Sequence, residues 1–250
     1  MSGHSKWAGI KHKKAVVDAR RGKLFAKLIR GIEVAAREGG TSNPENDMTL
    51  AAAIDRAKSS GVPSDTIERA AKRGAGETGE NINYDRVLYE GYAPGGVAVI
   101  AEALTENRNR TSSDVRSVFG KAGGNLGEPG SVAWMFERKG LIVVANASED
   151  DVLLAAADAG ADDVRPQDDG RFEILTEVKD FASVRKAIEG AGLAIEMAEL
   201  TMLPQSTIGL DASGARQVLR LLDALEDLDD VQNVFANFDI PDEVFAEVAS

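Results

Sequence analysis

The sequence predicts a three-domain α+β protein, with a helical domain first and two α/β domains after it. Three observations lead to that class. Apolar residues recur every three to four positions between 15 and 73, which is the period of an amphipathic helix. From residue 84 onward, strand-like runs alternate with helical ones. Residues 140–203 then follow the order β-α-β-β-α-β, which is the ferredoxin-like arrangement.

The first domain is predicted to be a basic arm followed by three helices. Residues 1–14 are rich in glycine and charge and lack an apolar period, so we expect an extended arm. Helices are expected at 15–40 and 43–61, the second with a proline in its first turn. A third helix follows, with Ser64 as its predicted N-cap.

Two glycine-rich segments could suggest a nucleotide site, and the residues around both argue against one. Gly74–Gly79 matches G-x-G-x-x-G but follows a helix rather than a strand, so it is predicted to be a linker. Gly120–Gly127 lacks the Gly-Lys-Ser/Thr ending of a phosphate-binding P-loop. The sequence therefore gives no support for nucleotide hydrolysis.

The middle domain is predicted to be discontinuous. Strands at 84–92, 97–104 and 132–137 and one helix need further partners, and residues 208–238 supply a helix and a strand. The economical solution is that these two parts complete each other, with the ferredoxin-like domain inserted between them. The predicted domains are residues 1–80, 81–138 plus 205–250, and 139–204.

Charge is distributed very unevenly along the chain. Residues 1–40 contain ten Lys/Arg and three acids, which gives +7; because the whole chain carries −12, residues 41–250 carry −19. Exposed charges are screened within about 8–10 Å at physiological salt, so a basic head can bind a polyanion despite an acidic body. The acidic run at residues 226–230 is predicted to be a solvated loop, with a phosphate mimic as the alternative.

Composition argues against an enzyme. The chain has no cysteine, which excludes disulfides, zinc–thiolate sites and thiol nucleophiles. Both histidines, His4 and His12, lie in the basic arm with no acid nearby to orient them, so neither a metal site nor a catalytic triad is indicated. We predict no cofactor, no metal and no small-molecule substrate. The lack of a long apolar run predicts a cytoplasmic protein with no membrane partner.

The basic residues are better explained as contacts to nucleic-acid phosphates. The sequence contains no helix-turn-helix spacing, zinc finger or aromatic RNA-binding motif. It therefore shows no known motif that would recognise specific bases. Trp7, among the lysines of the arm, is a candidate for base stacking or for anchoring the arm to the helices. The predicted nucleic-acid-binding residues are Lys6, Trp7, Lys11, His12, Lys13, Lys14, Arg20, Arg21, Lys23, Lys27, Arg30, Arg108, Arg110, Arg116 and Lys121.

Seven short motifs are spread along nearly the whole chain: Gly3-His-Ser-Lys-Trp7, Ile10-Lys-His12, Arg21-Gly-Lys23, Lys27-Leu-Ile-Arg30, Asn107-Arg-Asn-Arg-Thr111, Gly123-Gly-Asn-Leu-Gly127 and Gly130-Ser-Val-Ala133. They resemble the motifs of the YebC/PmpR family, which includes the mitochondrial translational activator of cytochrome c oxidase subunit I. The chain departs from many relatives at Lys13, where they have arginine, and at Ala122, where they have cysteine.

The resemblance implies three domains and a cytoplasmic regulator of gene expression. Bacterial members are usually labelled DNA-binding transcriptional regulators, whereas the mitochondrial relative and some bacterial ones act in translation on the ribosome, including at proline-rich stretches. The ligand expected here is therefore DNA or ribosomal RNA, and an arm plus a helix fits a folded RNA at least as well as a duplex. The alternative is a protein-interaction scaffold that has no direct nucleic-acid role.

Overall fold

The computed structural model describes residues 18–80, 83–167, 170–241 and 244, without the side chains of residues 18–20. Its elements, in chain order, are α1 Asp18–Gly39, α2 Met48–Ser59, α3 Ser64–Gly74, β1 Asp85–Tyr92, β2 Ala98–Thr105, α4 Arg108–Lys121, β3 Asn125–Leu126, β4 Phe136–Ala145, α5 Glu149–Ala157, β5 Ala161–Pro166, β6 Phe172–Thr176, α6 Phe181–Gly190, β7 Ala194–Pro204, β8 Ile208–Gly209, α7 Ala212–Glu226, β9 Val231–Ala236 and β10 Phe238–Asp239.

The helices α1, α2 and α3 pack around one small apolar core. Leu28 and Ile32 of α1 meet Leu50 and Ile54 of α2 and Ile67 of α3, and all five side chains are buried. These residues recur at helical spacing because each helix turns one apolar stripe inward. The prediction of a helical N-terminal domain is confirmed.

Two details of the helix starts differ from prediction. A short 3₁₀ turn, Pro44–Asn46, precedes α2, whose N-cap is Asp47; the Asp47 carboxylate accepts the Leu50 N–H at 2.6 Å. The prediction that Ser64 caps α3 is wrong. Ser64 is the first helical residue, and Pro63, which has no side-chain acceptor, precedes it.

The middle domain is a four-stranded sheet with one face covered by two helices. Its strand order is β3-β1-β2-β9, so the late strand β9 pairs with β2 although about 130 residues separate them. Phe119 of α4 and Leu222 of α7 are buried in the core between the helices and this sheet. Residues from the end of the chain therefore complete the block that follows the helical domain.

The inserted domain has the ferredoxin-like order. Its sheet runs β5-β6-β4-β7 with every neighbouring pair antiparallel, and α5 and α6 contribute to the core on one face. The predicted fold class, a helical domain with two α/β domains and the last inserted in the middle one, is confirmed. The domain boundaries at individual residues stay predictions.

One predicted strand is misplaced. Residues 132–137 were expected to form a separate strand of the middle domain, but Ala133–Met135 is a 3₁₀ turn and β4 begins at Phe136. β4 then continues to Ala145 within the inserted sheet. The third strand of the middle sheet is instead the two-residue β3, which is too short to show any period in the sequence.

Candidate nucleic-acid interface

Seven of the fifteen predicted interface side chains lie outside the described part of the structure. The arm residues lie outside the described part of the chain, and the side chain of Arg20, on the first turn of α1, does too. Their role in binding stays a prediction. The arm residues concerned are Lys6, Trp7, Lys11, His12, Lys13 and Lys14.

The helix α1 is exposed in its first turns and again at Glu38 and Gly39, and it is mostly buried between them. Arg21 and Lys23 lie in the exposed part, whereas every residue from Ile32 to Ala36 is buried. The Arg21 guanidinium lies over the Phe25 ring, 5.3 Å from its centroid, which holds the charge at the surface. About two turns of α1 are thus available to an external ligand.

Three cations of α1, Lys23 among them, point at the C-terminal end of α7 and the loop after it. Lys27 Nζ donates to the carbonyl of Glu226, Lys23 Nζ to that of Asp227 at 3.2 Å, and Arg30 to that of Asp229 at 2.7 Å. The last carbonyls of a helix have no partner within it and carry the negative end of its dipole. The last turn of α7 has no basic residue of its own. The cations of α1 therefore cap α7 and join the helical domain to the middle one.

Asp230 is the centre of a buried polar cluster beside this cap. Only 8% of the residue is exposed, and its carboxylate accepts from the Thr111 hydroxyl at 2.7 Å and the Thr105 hydroxyl at 3.2 Å. Arg110 donates to it at 2.7 Å, and Arg30 lies at 3.4 Å. The prediction of a solvated acidic loop is therefore wrong for Asp230, although Asp227 and Asp229 are exposed.

The environment of Asp230 keeps its carboxylate ionised. Burial alone would raise the pKa of Asp230, but the Arg110 and Thr111 hydrogen bonds and the charges of Arg110 and Arg30 outweigh burial and lower it. Asn107 Oδ1 caps α4 by accepting the Arg110 N–H at 3.1 Å. The segment 107–111, which carried part of the family resemblance, thus forms the first turn of α4, and its Arg110 and Thr111 side chains donate hydrogen bonds to Asp230.

The second predicted cluster, on α4, is divided between two environments. Arg108 pairs with Asp85 at 2.7 Å, and Arg110 with Asp230. Arg116 and Lys121 are exposed, and within the described residues neither makes a hydrogen bond or ion pair. These two side chains are the ones on α4 that an anionic ligand reaches without displacing an acid.

A buried carboxylate organises the glycine-rich loop that follows β3. Glu90 accepts the backbone N–H groups of Gly130, Val132 and Ala133 at 2.7, 2.8 and 2.7 Å. Burial would raise the pKa of Glu90, but these three hydrogen bonds outweigh it and lower the pKa. The loop presents Trp134, 65% exposed, whose indole N–H donates to the Ser131 carbonyl at 3.2 Å. Sequence reasoning missed both Glu90 and the exposure of the indole.

A cleft of about 740 Å³ lies where the three domains meet. Arginines line it, Arg56 and Arg86 among them, but so do acids such as Glu102 and Glu199. Arg56 donates to Asn233 at 3.2 Å and Arg86 pairs with Glu38 at 3.2 Å, so both are partnered within the chain. The mixed charge of these walls is unsuited to a polyanion.

The described residues show neither a metal centre nor a membrane segment. Within 18–80, 83–167 and 170–241, no group of three or more metal-ligating side chains comes together. None of the helices in that part of the chain combines the length and the apolar character that crossing a bilayer requires.

Comparison with known proteins gives the same relatives along nearly the whole chain. A model of the TACO1/YebC N-terminal domain matches residues 5–77, and one of the TACO1/YebC second and third domains matches residues 84–238. Probable transcriptional regulatory proteins of Beutenbergia cavernae and Thermobifida fusca are 57% and 55% identical, over 99% and 100% of both chains. The crystal structure of a conserved hypothetical protein from Aquifex aeolicus is 50% identical, with a TM-score of 0.80 over 91% of this chain and 93% of that one.

The relatives from Beutenbergia cavernae and Thermobifida fusca carry the names of regulators rather than of enzymes. The two family models together cover the helical domain, the middle domain and the inserted domain. The chain belongs to the TACO1/YebC family.

Proposed function

We propose that this protein is a non-enzymatic regulator of gene expression that binds nucleic acid through its basic N-terminal segment. The observation that carries the proposal is the separation of charge, +7 in residues 1–40 against −19 in the rest of the chain. The exposed first half of α1 continues that basic segment onto the folded body through Arg21 and Lys23. The regulatory names of the relatives support the same class of function.

The surroundings of α1 favour contacts to phosphates over reading of bases in a groove. A recognition helix needs one free face along several turns in order to enter the major groove of DNA. In α1, the apolar stripe is buried and the Lys27 and Arg30 side chains are turned toward α7. What remains is a short cationic end joined to the arm, which suits the backbone of a polyanion.

We further propose that the polyanion is ribosomal RNA and that binding assists synthesis at proline-rich stretches. Phosphate contacts by lysines do not require a straight duplex, and folded RNA offers phosphates at varied angles and unpaired bases for stacking. The translational role itself is taken from the family resemblance. DNA binding, which the relatives' names suggest, is the competing form of the proposal.

Salt dependence tests whether the ligand is bound through phosphates. If about six phosphates are neutralised on duplex DNA, the log–log slope of affinity against salt is about −5, and it is shallower on single strands. Replacing Lys13 and Lys14 with glutamate should weaken binding at least about tenfold and flatten that slope. The control is the same reversal at Lys179 and Lys186, which are exposed on the inserted domain. Salt-independent binding would favour the scaffold alternative.

Ribosome co-sedimentation, compared with binding to promoter DNA, tests the choice of RNA. The protein should sediment with ribosomes at physiological salt, and the Lys13/Lys14 reversal should release it whereas the Lys179/Lys186 reversal does not. Specific promoter binding without ribosome association would refute the RNA form of the proposal and leave the DNA form standing.

A further inference from the structure

We propose that the acidic run at residues 226–230 is a built-in competitor of the nucleic-acid ligand. It occupies cations that a phosphate backbone would otherwise contact. The inference rests on the proposed function, because it concerns the strength of binding at the same basic surface.

The acidic run engages the donors that were predicted to bind phosphate. Lys23, Lys27 and Arg30 each donate to one of its backbone carbonyls. Lys23 also pairs with the Asp229 carboxylate at 3.7 Å. A phosphate oxygen needs the same N–H groups, so phosphate and acidic run cannot both saturate them.

The acidic run has a fixed part and a releasable part. Asp230 is buried and held by two hydroxyls and two guanidinium groups, so it anchors the run to the middle domain. The side chains of Asp229 and Lys23 are 75% and 53% exposed. An ion pair that is so open to solvent contributes little to stability. Asp227 is exposed as well. A ligand can therefore displace the Asp229 carboxylate, with the charge of Asp227 close by, while Asp230 stays in place.

Internal neutralisation has two measurable consequences for binding. The ligand must replace an existing partner, which lowers its affinity. In addition, the salt dependence comes from the salt cations that bound phosphates release, and a carboxylate displaced from its partner retains part of them, so binding at an internally paired cation gives a weaker salt dependence than binding at a free one. Removing the outer carboxylates should therefore raise the affinity and steepen its salt dependence together.

The test compares two isosteric double variants that change the net charge equally. D227N/D229N removes the outer carboxylates. D150N/D158N removes two exposed carboxylates on the inserted domain whose side chains form no hydrogen bond or ion pair with the described residues. Affinity for a labelled 20-nucleotide single-stranded RNA is measured by fluorescence anisotropy at several salt concentrations. D227N/D229N should bind roughly three- to tenfold tighter at 0.1 M salt, with a log–log slope steeper by about one. D150N/D158N should stay within about twofold of the wild type.

Each outcome decides between competition and its alternatives. An unchanged or weaker affinity of D227N/D229N would overturn the inference, and so would an equal gain in both double variants, since that gain would reflect net charge alone. If D227N/D229N fails to fold, D229N alone decides, because it leaves Asp227 in place and should give a smaller gain of the same sign. A wild-type protein that does not bind RNA or DNA contradicts the proposed function itself.

Discussion

Replacing Glu90 with glutamine should lower the free energy of unfolding by about 2–4 kcal/mol. Only 5% of the residue is exposed, and its carboxylate accepts three backbone N–H groups, one on Oε1 and two on Oε2. A glutamine oxygen can serve the pair at Val132 and Ala133, but its NH₂ group then faces the Gly130 N–H, donor against donor. Two charge-assisted bonds become neutral, at a cost of about 1 kcal/mol each, and one buried donor loses its acceptor, which costs about 1–3 kcal/mol. The lower desolvation of a neutral side chain offsets part of that loss.

Urea unfolding at a series of pH values measures this loss and checks its cause. Because the pKa of Glu90 is lowered from 4.5 in the folded state, its contribution is complete above that value and disappears as the pH falls through the folded pKa. The stability gap between wild type and Glu90→Gln should therefore be constant near neutrality and shrink in acid. Glu128→Gln, an exposed change in the same loop, is the control and should stay within about 0.5 kcal/mol of wild type. A gap that persists unchanged to low pH would refute the reasoning.

Three further predictions concern the other packed features, each measured by urea unfolding. Lys27→Met should cost about 1 kcal/mol through loss of the α7 cap, whereas Arg116→Met, at an unpartnered exposed site, should change stability by less than about 0.5 kcal/mol; equal effects would contradict the capping role. Gly74→Ala should cost at least about 1–3 kcal/mol because its Cβ would lie 2.2 Å from a carbonyl oxygen of α1, whereas Gly120→Ala, with open space, should gain up to about 1 kcal/mol. Asp230→Asn should cost about 2–4 kcal/mol at neutral pH, with a deficit that shrinks in acid because the folded pKa of Asp230 is lowered; a deficit independent of pH would contradict this.

The parts of the fold that depend on local sequence could be predicted. The apolar period of residues 15–73 gave the helices, since each helix buries one stripe whatever its partner is. Helix caps are local in the same sense, since an N-cap hydroxyl bonds within its own turn, as the Ser148 hydroxyl does when it accepts the Asp151 N–H at 3.2 Å. Counting elements that lacked partners also predicted that residues 208–238 complete the middle domain, although the pairing of β9 with β2 itself was not predicted.

The parts that depend on distant backbone groups could not be predicted. Glu90 looks like any alternating polar residue of a strand, and its three partners lie about 40 residues away in a loop without a period. Those bonds remove the N–H groups of residues 132 and 133 from strand pairing, which explains why the strand expected there is a turn. Asp230 was likewise hidden within a run of exposed acids, because nothing in the sequence reveals that Thr105 and Thr111 would surround it.

The same limit applies to the basic segment and changes how its charge should be interpreted. A count of Lys and Arg measures attraction to a polyanion only where the cations face solvent, and the sequence does not show which ones instead face the carbonyls at the end of α7. Lys23, Lys27 and Arg30 contribute three of the ten positive charges in residues 1–40, yet each already has an acceptor in the folded chain. The affinity of the basic segment for a polyanion then depends on a difference in free energy, between the binding of these cations to phosphates and their binding to the acidic run. A change in the acidic run should therefore alter binding even though that run contributes no positive charge of its own.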